Sequence, residues 1–198
     1  MVDECGSIYL VDDDLAVLDS LCFLMKSYGF ELRCFNCGAT FLETVDLTAP
    51  GCVILDSRMP GLSGERIHQR LLEVGSPIAV IFLTGHGDVP MVREAFLQGA
   101  HDFFQKPVKG QDLARALREA IGVSQQRWEL QRLRCRLSGL TERELSVFRL
   151  VVKGLTNKQI AAELFVTVRT IEVHRARVMS KLGVENMAEL MSLAHLVA

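Results

Sequence analysis

Asp56 closes an apolar run, Cys52-Val53-Ile54-Leu55, and opens a turn of chain breakers, Ser57-Arg58-Met59-Pro60-Gly61. A second run, Ser7-Ile8-Tyr9-Leu10-Val11, ends the same way, in Asp12-Asp13-Asp14. Short apolar runs bounded by Gly and Pro read as buried parallel strands. Their last residues emerge at the carboxyl edge of the sheet, where open α/β sheets bind ligands. Carboxylates at two neighbouring strand ends repel one another and are tolerable chiefly with a cation among them. Thr84 ends a later apolar run, and Lys106 ends another, in Asp102-Phe103-Phe104-Gln105-Lys106-Pro107. Acid pair, lone Asp, hydroxyl and ammonium form a set suited to phosphoryl transfer. Asp12 and Asp13 with Asp56 would hold Mg²⁺, one Asp would attack a phosphoryl group, and Lys106 and the Thr84 hydroxyl would receive its oxygens.

These groups need elements to position them. The pattern predicts strands near 7–11, 31–35, 52–55, 78–82 and 101–104, with helices near 15–28, 38–46, 64–74 and 89–98 and a fifth after Gly110. Gly29, Gly75 and Gly99 stand at helix C-caps, Asp88 with Pro90 marks a helix start, and Asp14 serves as a cap for the first helix. Such alternation predicts an α/β fold, a doubly wound parallel sheet covered by helices on both faces. Residues 122–138, with Arg127, Arg132, Arg134 and Arg136 around Trp128 and leucines, read as a helical or partly ordered linker continuing the fifth helix. Beyond Gly139 the pattern is helical only, a smaller all-α domain at 139–198. Thr141-x-x-Glu144 and Thr156-x-x-Gln159 are capping boxes that open helices, and Gly154 ends the first of these.

Hydrophobic residues make up 49% of the 198 and charged residues 23%, the balance of an ordinary globular chain. No apolar stretch approaches the roughly 18 residues of a membrane span, and the acidic start, Met1-Val2-Asp3-Glu4, is unlike a signal peptide. A cytoplasmic protein without a membrane partner is expected. Its six cysteines suit reduced thiols, with Cys34-x-x-Cys37 the only close pair. Net charge of −2 conceals an asymmetry. Residues 1–121 carry 10 Lys and Arg against 17 Asp and Glu, residues 122–138 carry 4 against 1, and residues 139–198 carry 8 against 6. An acidic front and a basic rear suggest two modules, the second facing a polyanion.

In the rear, a helix at 157–164, a turn through Phe165-Val166-Thr167 and a helix at 168–181 make a helix-turn-helix. Ile171, His174, Val178 and Leu182 share one helical face and should pack inward. Arg169, Glu172, Val173, Ala176 and Arg177 then point toward a major groove of double-stranded DNA. Lys158 and Arg175 flank that face as phosphate contacts. Arg169 and Arg177 could read guanine, Val173 a thymine methyl and Glu172 a cytosine amine. Thr167, Thr170 and Lys181 complete the candidate contacts.

Residues 7 to about 121, with five site residues at this spacing, resemble the receiver domain of two-component response regulators. The resemblance implies a flavodoxin-like (βα)5 receiver at 1–121. It also implies Asp56 as phosphoacceptor, Asp13 as direct Mg²⁺ ligand, Asp12 as ligand through water and the Arg58 backbone carbonyl as a further ligand. Thr84 and Phe103 would be switch residues, Lys106 the family's lysine, and the Lys106–Pro107 bond cis. Residues 140–198 resemble the LuxR-type helix-turn-helix, and the combination resembles the FixJ/NarL group, in which a last helix (here about 186–196) contributes to dimerisation. Glu172 stands where many members carry Lys. Leu155-Thr156, the run from Val168 to Met179 and the run from Leu83 to Met91 are similar to regulators of tetrathionate respiration.

The expectation is a phosphorylation-switched transcription regulator, not an enzyme beyond its own phosphorylation and dephosphorylation. A sensor histidine kinase would phosphorylate Asp56, and Thr84 and Phe103 would respond. A face including Val92, Phe96 and Val108 would change, and receivers would pair as a homodimer on an inverted-repeat operator, with RNA polymerase as a further partner. His86 could tune dephosphorylation. Alternatively, phosphorylation unmasks a rear module covered by the receiver. A Mg²⁺-dependent phosphohydrolase would need a general acid two residues past the nucleophile, where Arg58 stands, and a substrate cap. A thiol sensor at Cys34 and Cys37 is a further alternative.

Overall fold

The computed structural model describes residues 6–85 and 97–195. Residues 86–96, with His86, Asp88, Pro90, Val92, Phe96 and most of the helix expected near 89–98, lie outside them. Five strands, β1 (Ser7–Val11), β2 (Leu32–Phe35), β3 (Gly51–Asp56), β4 (Ala79–Thr84) and β5 (Asp102–Gln105), form one all-parallel sheet in the order β2-β1-β3-β4-β5. This is the flavodoxin-like order, whose ligand site lies where the strand order reverses, between β1 and β3. The strands carry apolar runs because β3 and β4 are buried at every position.

Alternation along the strands divides the core into two layers. Ile8, Leu10, Ile54 and Ile81 pack with Leu18, Leu21 and Met25 of α1 (Leu15–Ser27) and with Leu113 and Leu117 of α4 (Gly110–Ser138). Tyr9, Val11, Val53, Leu55 and Phe82 pack on the other face with Phe41 of α2 (Gly38–Thr44) and with Ile67 and Leu71 of α3 (Gly64–Glu73). Asp14 is the N-cap of α1, its carboxylate accepting from Ala16 N–H at 2.8 Å. At Gly64 a side chain is impossible: a Cβ would sit on the Asp56 carbonyl oxygen. The start of α3 thus closes tightly over the end of β3.

α4 runs unbroken for 29 residues, so the whole of 122–138 is helical. Buried Ser124 accepts from Gly51 N–H at 2.8 Å and ties α4 to the start of β3. The chain divides into two compact units after Trp128, within α4. The second unit adds α5 (Glu142–Val152), α6 (Asn157–Glu163), α7 (Val168–Leu182) and α8 (Met187–His195). Its core is Leu140, Val147, Phe148, Leu150, Val151, Ile160, Ile171, Val178, Leu182 and Leu190, with Leu137 packed against it. Both expected capping boxes form, Thr141 with Glu144 and Thr156 with Gln159.

The cysteines are arranged differently from their sequence spacing. The Sγ atoms of Cys22 in α1 and Cys34 in β2 lie side by side, while Cys37 is exposed. In sequence the only close pair is Cys34 and Cys37. The first βα unit instead lays α1 beside β2 and brings together residues twelve apart in sequence. No described helix is long and apolar enough to cross a membrane.

Candidate functional site

The ends of β1, β3, β4 and β5 converge on a cleft of about 340 Å³ lined by Asp12, Asp13, Asp14, Asp56, Ser57, Arg58, Gly85 and Lys106. Asp12 is 1% exposed and Asp56 8%, whereas Asp13 and Arg58 are exposed at the mouth. Asp12 is fixed from two sides: its N–H donates to Phe35 O, and its Oδ1 accepts from Asp14 N–H at 3.0 Å. Lys106 Nζ donates to Asp12 Oδ2 at 2.5 Å and lies 3.2 Å from Asp56 Oδ1. The lysine is itself held by its N–H, which donates to Thr84 O at 2.7 Å, and is followed by a cis bond to Pro107.

Burial pushes the Asp56 carboxyl above its ordinary range, Lys106 opposes that shift, and Asp12 and Asp13 add to it. Burial alone would lower the Lys106 ammonium, but the hydrogen bond and charge of Asp12, then those of Asp56, leave it raised. One cation is therefore shared by two carboxylates that would otherwise repel. The ligand oxygens of Asp12, Asp13 and Asp56 lie within 4.8 Å of one another. An all-carboxylate set open to solvent on one side fits a small hard cation that keeps part of its water shell, as Mg²⁺ does.

Thr84 ends β4 and is 1% exposed. Phe103 of β5 stands in register with Phe82 and packs, partly buried, against the Phe41 and Ile67 layer. The structure thus brings Asp12, Asp13, Asp56, Arg58 and Lys106 to one cleft, with Thr84 at the adjoining strand end.

In the second unit, Thr167 is the N-cap of α7, accepting from Thr170 N–H, and the two hydroxyls lie 2.8 Å apart. Ile171, Val178 and Leu182 are buried as expected, and His174 is partly buried with them. Lys158, Arg169, Glu172, Val173 and Arg177 are exposed. Two of the expected DNA contacts, Lys181 and Arg175, have partners within the fold. Lys181 Nζ lies 2.7 Å from buried Glu144 Oε2 and donates to Gly139 O, and Arg175 donates to Asn157 Oδ1 and to Met187 Sδ. Arg175 was expected at the flank of the recognition face and Lys181 among the further contacts; α5, α6 and α8 supply them with partners that sequence spacing cannot show. The Lys181 hydrogen bond, followed by Thr141 N–H, lowers the Glu144 carboxyl from its ordinary 4.5 to about 2.

Other arginines pin the fold where the sequence offered no signal. Arg143 donates to Leu164 O at 2.7 Å, at the turn before α7, and Arg136 donates to Leu182 O at 2.9 Å, at the C-terminal end of α7. A cation there also meets the negative end of the helix dipole. Phe165 in the turn is 94% exposed at φ 54°.

Comparison with known proteins agrees with this geometry. Residues 8–118 match the response regulator receiver domain, and residues 138–194 match the LuxR family of bacterial regulatory proteins. The tetrathionate response regulatory protein TtrR of Salmonella typhimurium is 44% identical over 185 residues, covering 93% of this chain and 90% of that protein. The transcriptional regulatory protein FixJ of Bradyrhizobium diazoefficiens is 40% identical over 193 residues, covering 96% and 94%. Among solved structures, the response regulator StyR superposes with a TM-score of 0.72 at 39% identity, covering 96% of this chain and 98% of that one. The match to regulators of tetrathionate respiration is the one the runs near Leu83 and Val168 indicated.

Proposed function

Since the chain belongs to the two-component response regulators, a receiver followed by a LuxR-type DNA-binding domain in a transcription regulator rather than an enzyme, we propose that a sensor histidine kinase switches it by phosphorylating Asp56. The observation that carries this reading is the shared Lys106, paired at once with Asp12 and Asp56 beside the Asp13 carboxylate. An Asp56 oxygen attacks the phosphorus of a phosphohistidine, the phosphorus–nitrogen bond breaks, and the imidazole leaves with a proton. Lys106, already within reach of Asp56, follows the charge to a phosphoryl oxygen. Asp13 directly, Asp12 through water, Asp56 and the Arg58 carbonyl would hold Mg²⁺. When bound, that ion supplies the remaining charge neutralisation.

Thr84 then turns toward the phosphoryl group and Phe103 repacks, altering the receiver surface. We assign the receiver to residues 1–121, the linker to 122–138 and the DNA-binding domain to 139–198. Paired receivers bring two such domains onto an inverted-repeat operator, each gaining through effective concentration. Lys158 contacts phosphates, Thr167 and Thr170 lie at the groove edge, and Arg169, Glu172, Val173 and Arg177 face the bases. RNA polymerase and a cytoplasmic location complete the proposal. Incubation with acetyl phosphate and Mg²⁺ tests the core of it. Acid-labile phosphate on Asp56 by peptide mass spectrometry is expected, and label on another residue, or persisting in Asp56→Asn, counts against it.

A further inference from the structure

Ser57, the residue after the acceptor, is 3% exposed, and its Oγ has no hydrogen-bond partner among the described residues. A buried hydroxyl without a partner is destabilising, so a fold that keeps one invites an account. Its position supplies that account. Ser57 N–H donates to Leu83 O at 3.0 Å, which continues the β3–β4 ladder one step beyond the pairing of Asp56 with Leu83. Ser57 therefore stands opposite Thr84. Strand alternation puts both on the sheet face of Val53, Leu55 and Phe82, the layer against which Phe103 packs. The two hydroxyl residues are cross-strand neighbours, Ser57 lining the cleft and Thr84 at the adjoining strand end, and both are buried.

We propose that Ser57 is a positioning residue for Thr84: in the phosphorylated state the Ser57 hydroxyl donates to Thr84 Oγ1, and Thr84 donates its own proton to the phosphoryl oxygen. A hydroxyl has one proton and two lone pairs. Once a lone pair of Thr84 is taken from the Ser57 side, its proton is directed outward, and the chain from Ser57 through Thr84 to the phosphoryl group polarises along its length. In the resting protein the Ser57 hydroxyl makes no such bond, so it is selected by the switched state and not by the resting fold. This inference rests on the reading of Thr84 as the hydroxyl that engages the phosphoryl group.

The test is calorimetric titration of the full chain, in Mg²⁺, with beryllium fluoride as the phosphoryl mimic. Wild type, Ser57→Ala, Thr84→Ala, the double variant and Ser57→Thr are compared. Ser57→Ala should weaken binding about three- to tenfold, the worth of one hydrogen bond, and should weaken it no further in the Thr84→Ala background. Ser57→Thr should restore binding. Without the mimic, Ser57→Ala should melt no lower than wild type. Unchanged binding in Ser57→Ala, an equal loss in both backgrounds, or a lower melting temperature would each overturn the proposal. If Thr84→Ala itself binds as wild type, the switch reading of Thr84 fails first. If Thr84→Ala is weakened and Ser57→Ala is not, the failure belongs to Ser57 alone.

Discussion

Lys106 and Arg177 are both cations proposed to meet phosphate-bearing partners, yet their surroundings are opposite. Lys106 is held by Asp12 and Asp56 at the floor of a cleft, while Arg177 stands exposed on α7 with no ion pair among the described residues. The proposed task of the receiver is a small, reactive group, and its charges are coupled, with Asp12 and Asp56 buried and Lys106 already placed beside both. The DNA-binding unit meets a long polyanion, so its working charges stay in solvent. Within that unit, the cations that are held, Lys181, Arg175, Arg143 and Arg136, build the fold. A cation in a network therefore means different things in the two units: chemistry at a strand end, architecture between helices.

Substitutions can break that contrast. Asp56→Asn should abolish phosphorylation by acetyl phosphate while the melting temperature stays close to wild type. Lys106→Ala should slow phosphorylation about 100-fold, as loss of a fixed charge partner does, measured by the rate of label uptake. Arg177→Ala should cost about 1–3 kcal/mol of discrimination between operator and random DNA. Lys158→Ala should instead lower affinity for all sequences and reduce the salt slope by about one, read from binding titrations across salt. Arg175→Ala should lower the melting temperature of the second unit, where Arg177→Ala leaves it unchanged; equal effects would erase the distinction between held and free cations.

The smallest effect is on acid stability. The Glu144 carboxyl is depressed in the folded state, from 4.5 to about 2. Its stabilisation is thus complete above pH 4.5 and is lost as pH falls from there toward 2. Lys181→Met should flatten that part of the stability profile of the second unit, followed by circular dichroism.

Much of the receiver site was legible because its groups end apolar strands, and strand ends of a parallel sheet share one edge. Asp12, Asp56, Thr84 and Lys106 needed only the alternation of strands and helices to converge. The inward face of α7 was legible for the same reason, a periodicity that burial enforces at Ile171, Val178 and Leu182. What was not legible depends on which elements lie side by side. Cys22 finds Cys34 because α1 packs beside β2, and Lys181 finds Glu144 because α5 packs against α7. Neither pairing has a sequence period. Ser57 escaped notice because its charged neighbours, Asp56 and Arg58, carry the recognisable chemistry, and an unpaired hydroxyl is visible only when burial is known.

The central claim, that a phosphoryl group on Asp56 pairs the receivers, is tested most directly by light-scattering mass in Mg²⁺ with and without beryllium fluoride. The account predicts that the mass doubles in the wild type and not in Asp56→Asn. An unchanged wild-type mass under conditions where calorimetry shows the mimic bound would contradict it.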